Sequence, residues 1–115
     1  MDTQNVIIIG GGAAGLSSAI YLARAGLTPL VFAGSPPGGQ LMLTSEVENF
    51  PGHLSILGGK LITEMRRQAI QFGAVMRDEN VQSIDVKDSI KTVGALALGQ
   101  LVLWPVYWLE EIKKK

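Results

Sequence analysis

A glycine-rich turn near the start of the chain carries the clearest chemical pattern. Residues 10–15 read Gly-Gly-Gly-Ala-Ala-Gly, which satisfies the pattern G-x-G-x-x-G. The turn lies between the apolar residues 6–9 and a segment with apolar residues at helical spacing, a context typical of dinucleotide binding. We expect Gly10 to allow the tight turn, Gly12 to admit a pyrophosphate and Gly15 to let helix and strand pack closely. Amide groups at the helix N-terminus would bind the phosphates. The alternative is a tight turn that merely requires small residues.

The residue after the second predicted strand is not the acid that this pattern normally has. In a plain NAD site, a carboxylate at this point hydrogen-bonds the ribose. Here residues 30–32 are followed by Ala33, with no carboxylate nearby. The sequence therefore argues against a plain NAD-binding module and leaves open a flavin site in which loop backbone holds the ribose.

The composition excludes several kinds of chemistry. The chain has no cysteine, so it supplies no disulfide, reactive thiol or thiolate metal ligand, and its one histidine, His53, forms no histidine cluster for a metal. Ten basic residues balance ten acidic ones, which removes the electrostatic argument for nucleic acid. Glu46 and Glu48 are expected to position a loop rather than to act as an acid–base pair. We therefore assign no catalytic residue and no metal site.

The order of predicted elements indicates an α/β fold. The first strand (6–9) and a helix that ends at Gly26 precede the second strand (30–32). Residues 33–59 read as a long loop, and a helix over 60–72 follows it. Short strands are predicted near 74–76 and 81–86. We expect a Rossmann-like βαβ half-domain with a long loop and an incomplete sheet.

The last part of the chain changes character at about Val93. Residues 93–109 are apolar except for Gln100, and the chain ends on three lysines. One interpretation is a membrane tail anchor, although about 17 residues is the lower limit for spanning a bilayer. A second is that residues 101–103 add a strand that covers an apolar surface. The third is a sequence with no evolved role, as after a truncation or a frame shift.

The long loop resembles that of the low-molecular-weight thioredoxin reductases. Residues 38–41 read Gly-Gly-Gln-Leu, residues 44–49 read Thr-Ser-Glu-Val-Glu-Asn, and residues 50–52 read Phe-Pro-Gly. In that family the same motifs follow the second strand in this order. Residues 6–25 are similar to the family's first strand and helix, and residues 59–74 to its next helix. The resemblance covers about residues 5–90.

What the resemblance implies is an FAD-binding half-domain. It carries cofactor-binding roles onto Gly10, Gly12, Ala13, Ala14, Gly15, Ala33, Gly34, Gly39, Gln40, Leu41, Thr44, Asn49 and Val81. The glycine turn would hold the pyrophosphate, Ala33 and Gly34 would lie near the ribose, and Val81 near the adenine. Residues 39–41 would line the flavin side, with polar contacts from Thr44 and Asn49. Judged from the residues themselves, the Asn49 amide could equally close the loop on its own backbone.

The departures from the family limit what this chain can do alone. Members pass electrons from NADPH through FAD to a C-x-x-C pair and then to thioredoxin, and that pair lies in a second nucleotide-binding domain. The chain has neither the cysteines nor the second glycine pattern. We expect residues 1–92 to form a partial FAD-binding domain, residues 93–115 to be an apolar tail unrelated to the family, and the chain to be inactive alone.

Expectations about partners and location follow from the same comparison. The resemblance implies FAD as ligand, thioredoxin or a chain supplying the missing domain as partner, and a homodimer as the assembly. The alternative is a truncated, non-catalytic protein that depends on a partner or is anchored in a membrane. Residues 1–5 contain no basic residue, so we expect no signal peptide and a cytoplasmic location.

Overall fold

A parallel sheet of three short strands lies between two helices and a second, antiparallel sheet. The computed structural model describes residues 4–87, 90–97 and 100–107. The elements in chain order are β1 (Ile7–Ile9), α1 (Ala13–Arg24), β2 (Leu30–Phe32), a 3-10 helix (Gln40–Leu43), β3 (Glu46–Val47), β4 (Ile56–Leu57), α2 (Gly58–Gln71), β5 (Val75–Arg77), β6 (Val81–Asp85), β7 (Ile90–Ala97) and β8 (Gln100–Tyr107). The predicted α/β fold is confirmed.

Strand β2 is the central strand of the parallel sheet, which has the order β1-β2-β5. All three of its residues are buried, as expected of a strand covered on both faces. Val31 packs towards the helices, in a cluster with Ala19 of α1 and Ala69 of α2. Leu30 and Phe32 point the other way. Among the described strands, β1 is hydrogen-bonded to β2 alone.

Small residues let α1 lie close to the sheet. Its buried face consists of Leu16, Ala19 and Ala23, and the two alanines lie in the same cluster as Val31. The helix ends at Arg24. Gly26 follows with a φ of 81°, a left-handed conformation that glycine adopts without strain, and its N–H donates to the carbonyl of Ala23 (2.9 Å). The predicted stop at Gly26 is confirmed.

The antiparallel sheet, of order β6-β7-β8, covers the other face of β2. Val93 and Ala95 of β7 are buried in one cluster with Leu30 and Phe32. β7 pairs with β8 along its whole length, from Ile90 opposite Tyr107 to Ala97 opposite Gln100. The antiparallel sheet therefore completes a three-layer arrangement of helices, parallel sheet and antiparallel sheet.

The predicted tail begins inside this sheet, because Val93 lies within β7. Residues 101–103 lie in β8, so they form the strand that the second interpretation of the tail requires. In the part of the chain that the structure describes, no helix combines the length and the hydrophobicity needed to cross a membrane. The three terminal lysines lie outside the described residues. The division of the chain at residues 92 and 93 stays a prediction.

The predicted loop over residues 33–59 contains local structure that the sequence pattern did not indicate. Besides the 3-10 helix, β3 and β4 form a two-residue antiparallel pair, with Val47 opposite Ile56. Both residues are buried against α2 in a cluster with Leu61 and Met65. Helix α2 begins at Gly58, earlier than the predicted residue 60. The loop is therefore attached to the helical layer.

Two leucines that differ in burial test this packing. Leu61 of α2 is 2% exposed within the cluster of β3 and β4, whereas Leu54 is 98% exposed. Leu61→Ala is expected to lower the free energy of unfolding by about 2–5 kcal/mol because it leaves a cavity. Leu54→Ala is the matched control and should change it by less than about 0.5 kcal/mol. Urea unfolding followed by circular dichroism measures both values, and equal values would contradict the packing.

Candidate dinucleotide-binding site

The glycine turn joins the end of β1 to the start of α1 and is held against β2. Gly10 has a φ of 124°, which favours glycine, and its N–H donates to the carbonyl of Phe32 (2.9 Å). A Cβ on Gly15 would collide with the carbonyl oxygen of Gly10. The first and last glycines of the turn thus fill the roles predicted for them, a tight turn and a close helix–strand contact.

The N-terminus of α1 opens onto free space. Gly12 is the N-cap residue, no side chain caps the helix, and its first turn contains no acidic residue. A Cβ added to Gly12 would meet no atom within 4 Å. Ala13 and Ala14 form the start of the helix. Their backbone N–H groups belong to the first turn, where the helix dipole is positive and an anion is stabilised.

A second wall of the site is the segment that follows β2. The N–H of Ala33 donates to the carbonyl of Arg77 (2.8 Å), and the N–H of Gly34 donates to the carbonyl of Glu79 (3.2 Å). The Asn80 side chain accepts from the N–H of Ser35 (3.0 Å). These bonds tie Ala33 and Gly34, both predicted site residues, to the carboxyl end of β5. In parallel sheets, ligands bind at this end of the strands.

A third wall comes from the long loop. A Cβ on Gly39 would lie 3.2 Å from the Cα of Gly12, so the loop lies against the backbone of the glycine turn and borders the open space there. Leu41 packs, partly buried, against the cluster that contains Leu16. The Thr44 hydroxyl donates to the carbonyl of Leu41 (2.9 Å), which holds the 3-10 helix together. The structure therefore brings Gly39 to the glycine turn and gives Thr44 a role within its own loop.

The remaining predicted residues lie further along the loop and in β6. Gln40 and Asn49 are exposed, and neither side-chain amide has a hydrogen-bond partner among the described residues. Val81 starts β6 and packs, partly buried, against the cluster of Leu30 and Phe32. It thus lies on the side of β2 that faces the antiparallel sheet.

Sequence reasoning missed three residues of this region. Gly11 is buried, and a Cβ there would lie 2.6 Å from the Cβ of Ala33. The turn therefore contacts the end of β2 at Gly11, a position where the pattern G-x-G-x-x-G allows any residue. Glu79 and Asn80 follow β5 and contact residues 34 and 35, far from them in sequence. No local pattern marks such a contact.

The three walls meet at the N-terminus of α1 and form a candidate cradle for a dinucleotide. The walls meet through backbone atoms rather than side chains. A side chain at Gly11 would meet Ala33, and one at Gly39 would approach Gly12, so glycine is needed at both positions. The space at Gly12 is open. An uncapped helix N-terminus next to open space suits a pyrophosphate, which carries negative charge and needs close backbone approach.

The fold and this cradle define an α/β protein of the dinucleotide-binding class. The model of the pyridine nucleotide-disulphide oxidoreductase family matches residues 4–102, and the chain belongs to that family. The match extends beyond the range of about residues 5–90 over which the motifs resemble the family. The redox-active cysteine pair is absent, since the chain has no cysteine.

Thioredoxin reductases are the relatives that this chain resembles. It is 53% identical over 91 residues to the bifunctional thioredoxin reductase/thioredoxin of Mycobacterium leprae, covering 78% of this chain and 20% of the relative. It is 52% identical over 94 residues to thioredoxin reductase of Streptomyces coelicolor, covering 80% and 29%. The resemblance found in the sequence is confirmed, and the chain spans less than a third of these relatives.

Solved structures agree with this assignment. The thioredoxin reductase of Giardia duodenalis superposes with a TM-score of 0.85 at 34% identity, over 93% of this chain and 34% of that one. The enzyme of Gloeobacter violaceus gives a TM-score of 0.82 at 31% identity, over 90% and 32%. The fold of this chain is therefore that of one portion of a thioredoxin reductase.

Gly15→Ala tests the contact between the glycine turn and α1. The added methyl group collides with the Gly10 carbonyl and must push α1 away from β1, which we expect to cost about 1–3 kcal/mol of stability. Gly59→Ala in the first turn of α2 is the matched control, because its methyl group would lie 3.7 Å from Met42 atoms. Urea unfolding compares the two, and a Gly15→Ala variant as stable as the wild type would refute the close contact.

Proposed function

We propose that this chain binds FAD and forms part of the flavin-binding region of a thioredoxin reductase-like oxidoreductase. The observation that carries the proposal is the open, uncapped N-terminus of α1 at Gly12. It is bordered by the end of β2 and by Gly39, on which a Cβ would lie 3.2 Å from the Cα of Gly12. Membership of the pyridine nucleotide-disulphide oxidoreductase family supports a flavin as the dinucleotide. The absence of an acid directly after β2 is a further argument against a plain NAD module.

Each wall of the cradle has a proposed part in holding the cofactor. The backbone of Gly10, Gly12, Ala13 and Ala14 would bind the pyrophosphate, with Gly15 keeping α1 close to β1. Ala33 and Gly34 would border the adenosine ribose, and Val81 the adenine.

The flavin side of the site would be formed by the long loop, at Gly39, Gln40 and Leu41. The exposed amides of Gln40 and Asn49 are free to hydrogen-bond polar edges of the flavin ring, and the Thr44–Leu41 bond would hold this side of the loop in shape.

The electron transfer needs more than this chain contains. When bound, FAD supplies the chemistry of accepting electrons from a nicotinamide and passing them to a disulfide. This chain would bind and orient the cofactor, but it has no cysteine to form the disulfide. We propose that NADPH and the cysteine pair belong to a further domain, supplied by the same or another polypeptide, with thioredoxin as acceptor and a homodimer as assembly. The cytoplasmic location stays a prediction.

Purification of the chain and its visible spectrum test flavin binding directly. We expect an oxidised-flavin spectrum, or its appearance after incubation with FAD, and release of FAD on denaturation. A soluble sample with a folded circular dichroism spectrum that takes up no FAD would refute the proposal.

Gly12→Ala places one methyl group in the space assigned to the pyrophosphate. We expect FAD affinity to fall by about 10-fold or more, as for one excess carbon in a fitted pocket, while stability falls by no more than about 1 kcal/mol. Titration of flavin fluorescence measures the affinity. Gly59→Ala is again the matched control and should bind FAD like the wild type. Equal affinities for the two variants would place the pyrophosphate elsewhere.

The FAD-loaded chain should not reduce a disulfide with NADPH, because no thiol of the chain can take part in exchange. Reduction of an aromatic disulfide, followed by the colour of the released thiol, measures this activity. A complete thioredoxin reductase serves as the positive control. Turnover by the chain alone would contradict the requirement for a second domain.

A further inference from the structure

Glu79 lies beside the segment of the site that borders the ribose. Its carbonyl oxygen accepts the N–H of Gly34 (3.2 Å), and the side chain of the next residue, Asn80, accepts the N–H of Ser35 (3.0 Å). Asn80 also donates to the carbonyl of Ser35 (3.5 Å). One backbone hydrogen bond to Glu79 and two side-chain hydrogen bonds of Asn80 therefore hold residues 79 and 80 against residues 34 and 35.

The side chain of Glu79 is incompletely satisfied. Its Oε1 atom lies 3.9 Å from an Arg77 guanidinium nitrogen, an ion-pair distance but too long for a hydrogen bond. Its Oε2 atom is buried and has no hydrogen-bond partner in the structure. A buried carboxylate oxygen without a donor is unfavourable and calls for a physical explanation. The neighbouring acid, Asp78, has partners for both carboxylate oxygens, because each accepts a hydrogen bond from Arg66 (2.7 and 2.9 Å).

The sheet order places Glu79 close to the end of β2, where this chain lacks the carboxylate that would accept a hydrogen bond from the ribose. Dinucleotide sites of this class carry an acid after the second strand, and here that position is Ala33. Strand β5 is parallel to β2 and adjacent to it, with Arg77 opposite Phe32. The carboxyl ends of β2 and β5 therefore lie side by side, and Glu79 follows β5 as the usual acid would follow β2.

We infer that Glu79 accepts a hydrogen bond from a hydroxyl of the adenosine ribose, in place of the acid absent after β2. The inference rests on the proposed FAD binding and assigns one more residue to it. The side chain is 17% exposed, and its last torsion has a broad energy minimum, so a small rotation can turn an oxygen towards solvent at the edge of the site. The unpartnered oxygen would then gain the donor that it lacks in the free protein.

Two variants separate a ligand contact from a structural role. Glu79→Gln keeps the shape but removes the charge, and Glu79→Met removes the acceptor as well. Because the free protein has an unsatisfied carboxylate oxygen, we expect the thermal midpoint of both unliganded variants to be unchanged or higher. We expect FAD affinity, from flavin fluorescence, to fall by about 10-fold in Glu79→Met, the loss of one charge-assisted hydrogen bond. Glu64→Gln on α2 is the control and should bind as the wild type does.

ADP and its 2′-deoxy and 3′-deoxy forms locate the contact. In the wild type, we expect one deoxy form to bind more weakly than ADP in competition with FAD. In Glu79→Met, the same deoxy form and ADP should bind equally, because the acceptor is gone. An unchanged preference for ADP in Glu79→Met, or a lower thermal midpoint with unchanged FAD affinity, would overturn the inference.

The same data distinguish failure of the inference from failure of the proposed function. If the wild type binds FAD and ADP while the Glu79 variants bind them equally well, only the role of Glu79 is refuted. If the folded wild type binds neither FAD nor ADP, the proposed function itself is refuted, and the role of Glu79 with it.

Discussion

The burial of β2 on both faces is the constraint on which the site depends. Val31 is held by the alanines of α1 and α2, while Leu30 and Phe32 are held by β7. Each such side chain contributes about 1.5–3 kcal/mol when it is removed from water. Because β2 cannot shift towards either layer, its last carbonyl and the following residue, Ala33, have fixed positions. The glycine turn is bound to that carbonyl through Gly10, and β5 is bound to Ala33.

The sequence predicts correctly those elements whose bounds depend on residues that are neighbours in the chain. Strand β2 was predicted with its observed bounds, because three apolar residues between proline and a small-residue loop have few alternatives. The end of α1 was predicted because Gly26 stops a helix through its own backbone freedom. The start of α2 was missed: Leu57 is its N-cap and offers no capping side chain, so the two glycines that begin the helix look like loop residues.

Contacts between distant segments could not be predicted in this way. The bond from Ser35 to Asn80 joins residues 45 positions apart, and it forms only because β2 and β5 are neighbours in the sheet. The pairing of β7 with β8 was hidden for a related reason. From residue 93 to residue 103, Gln100 is the single polar side chain in the sequence, so no alternation shows where β7 ends and β8 begins. The glycine turn itself was identified because its pattern and its flanking elements lie within one short segment.

Strand β1 has a consequence for how the isolated chain behaves in solution. It consists of three isoleucines, is hydrogen-bonded on one side to β2, and has Ile9 48% exposed. No proline or charged residue interrupts it, so among the usual protections of a sheet edge the strand itself offers only its short length of three residues. The unpaired N–H and C=O groups of such an edge can pair with a strand of another chain, so association of two chains through this sheet would run along β1. A peptide strand added in trans would block that association by occupying the edge next to the glycine turn.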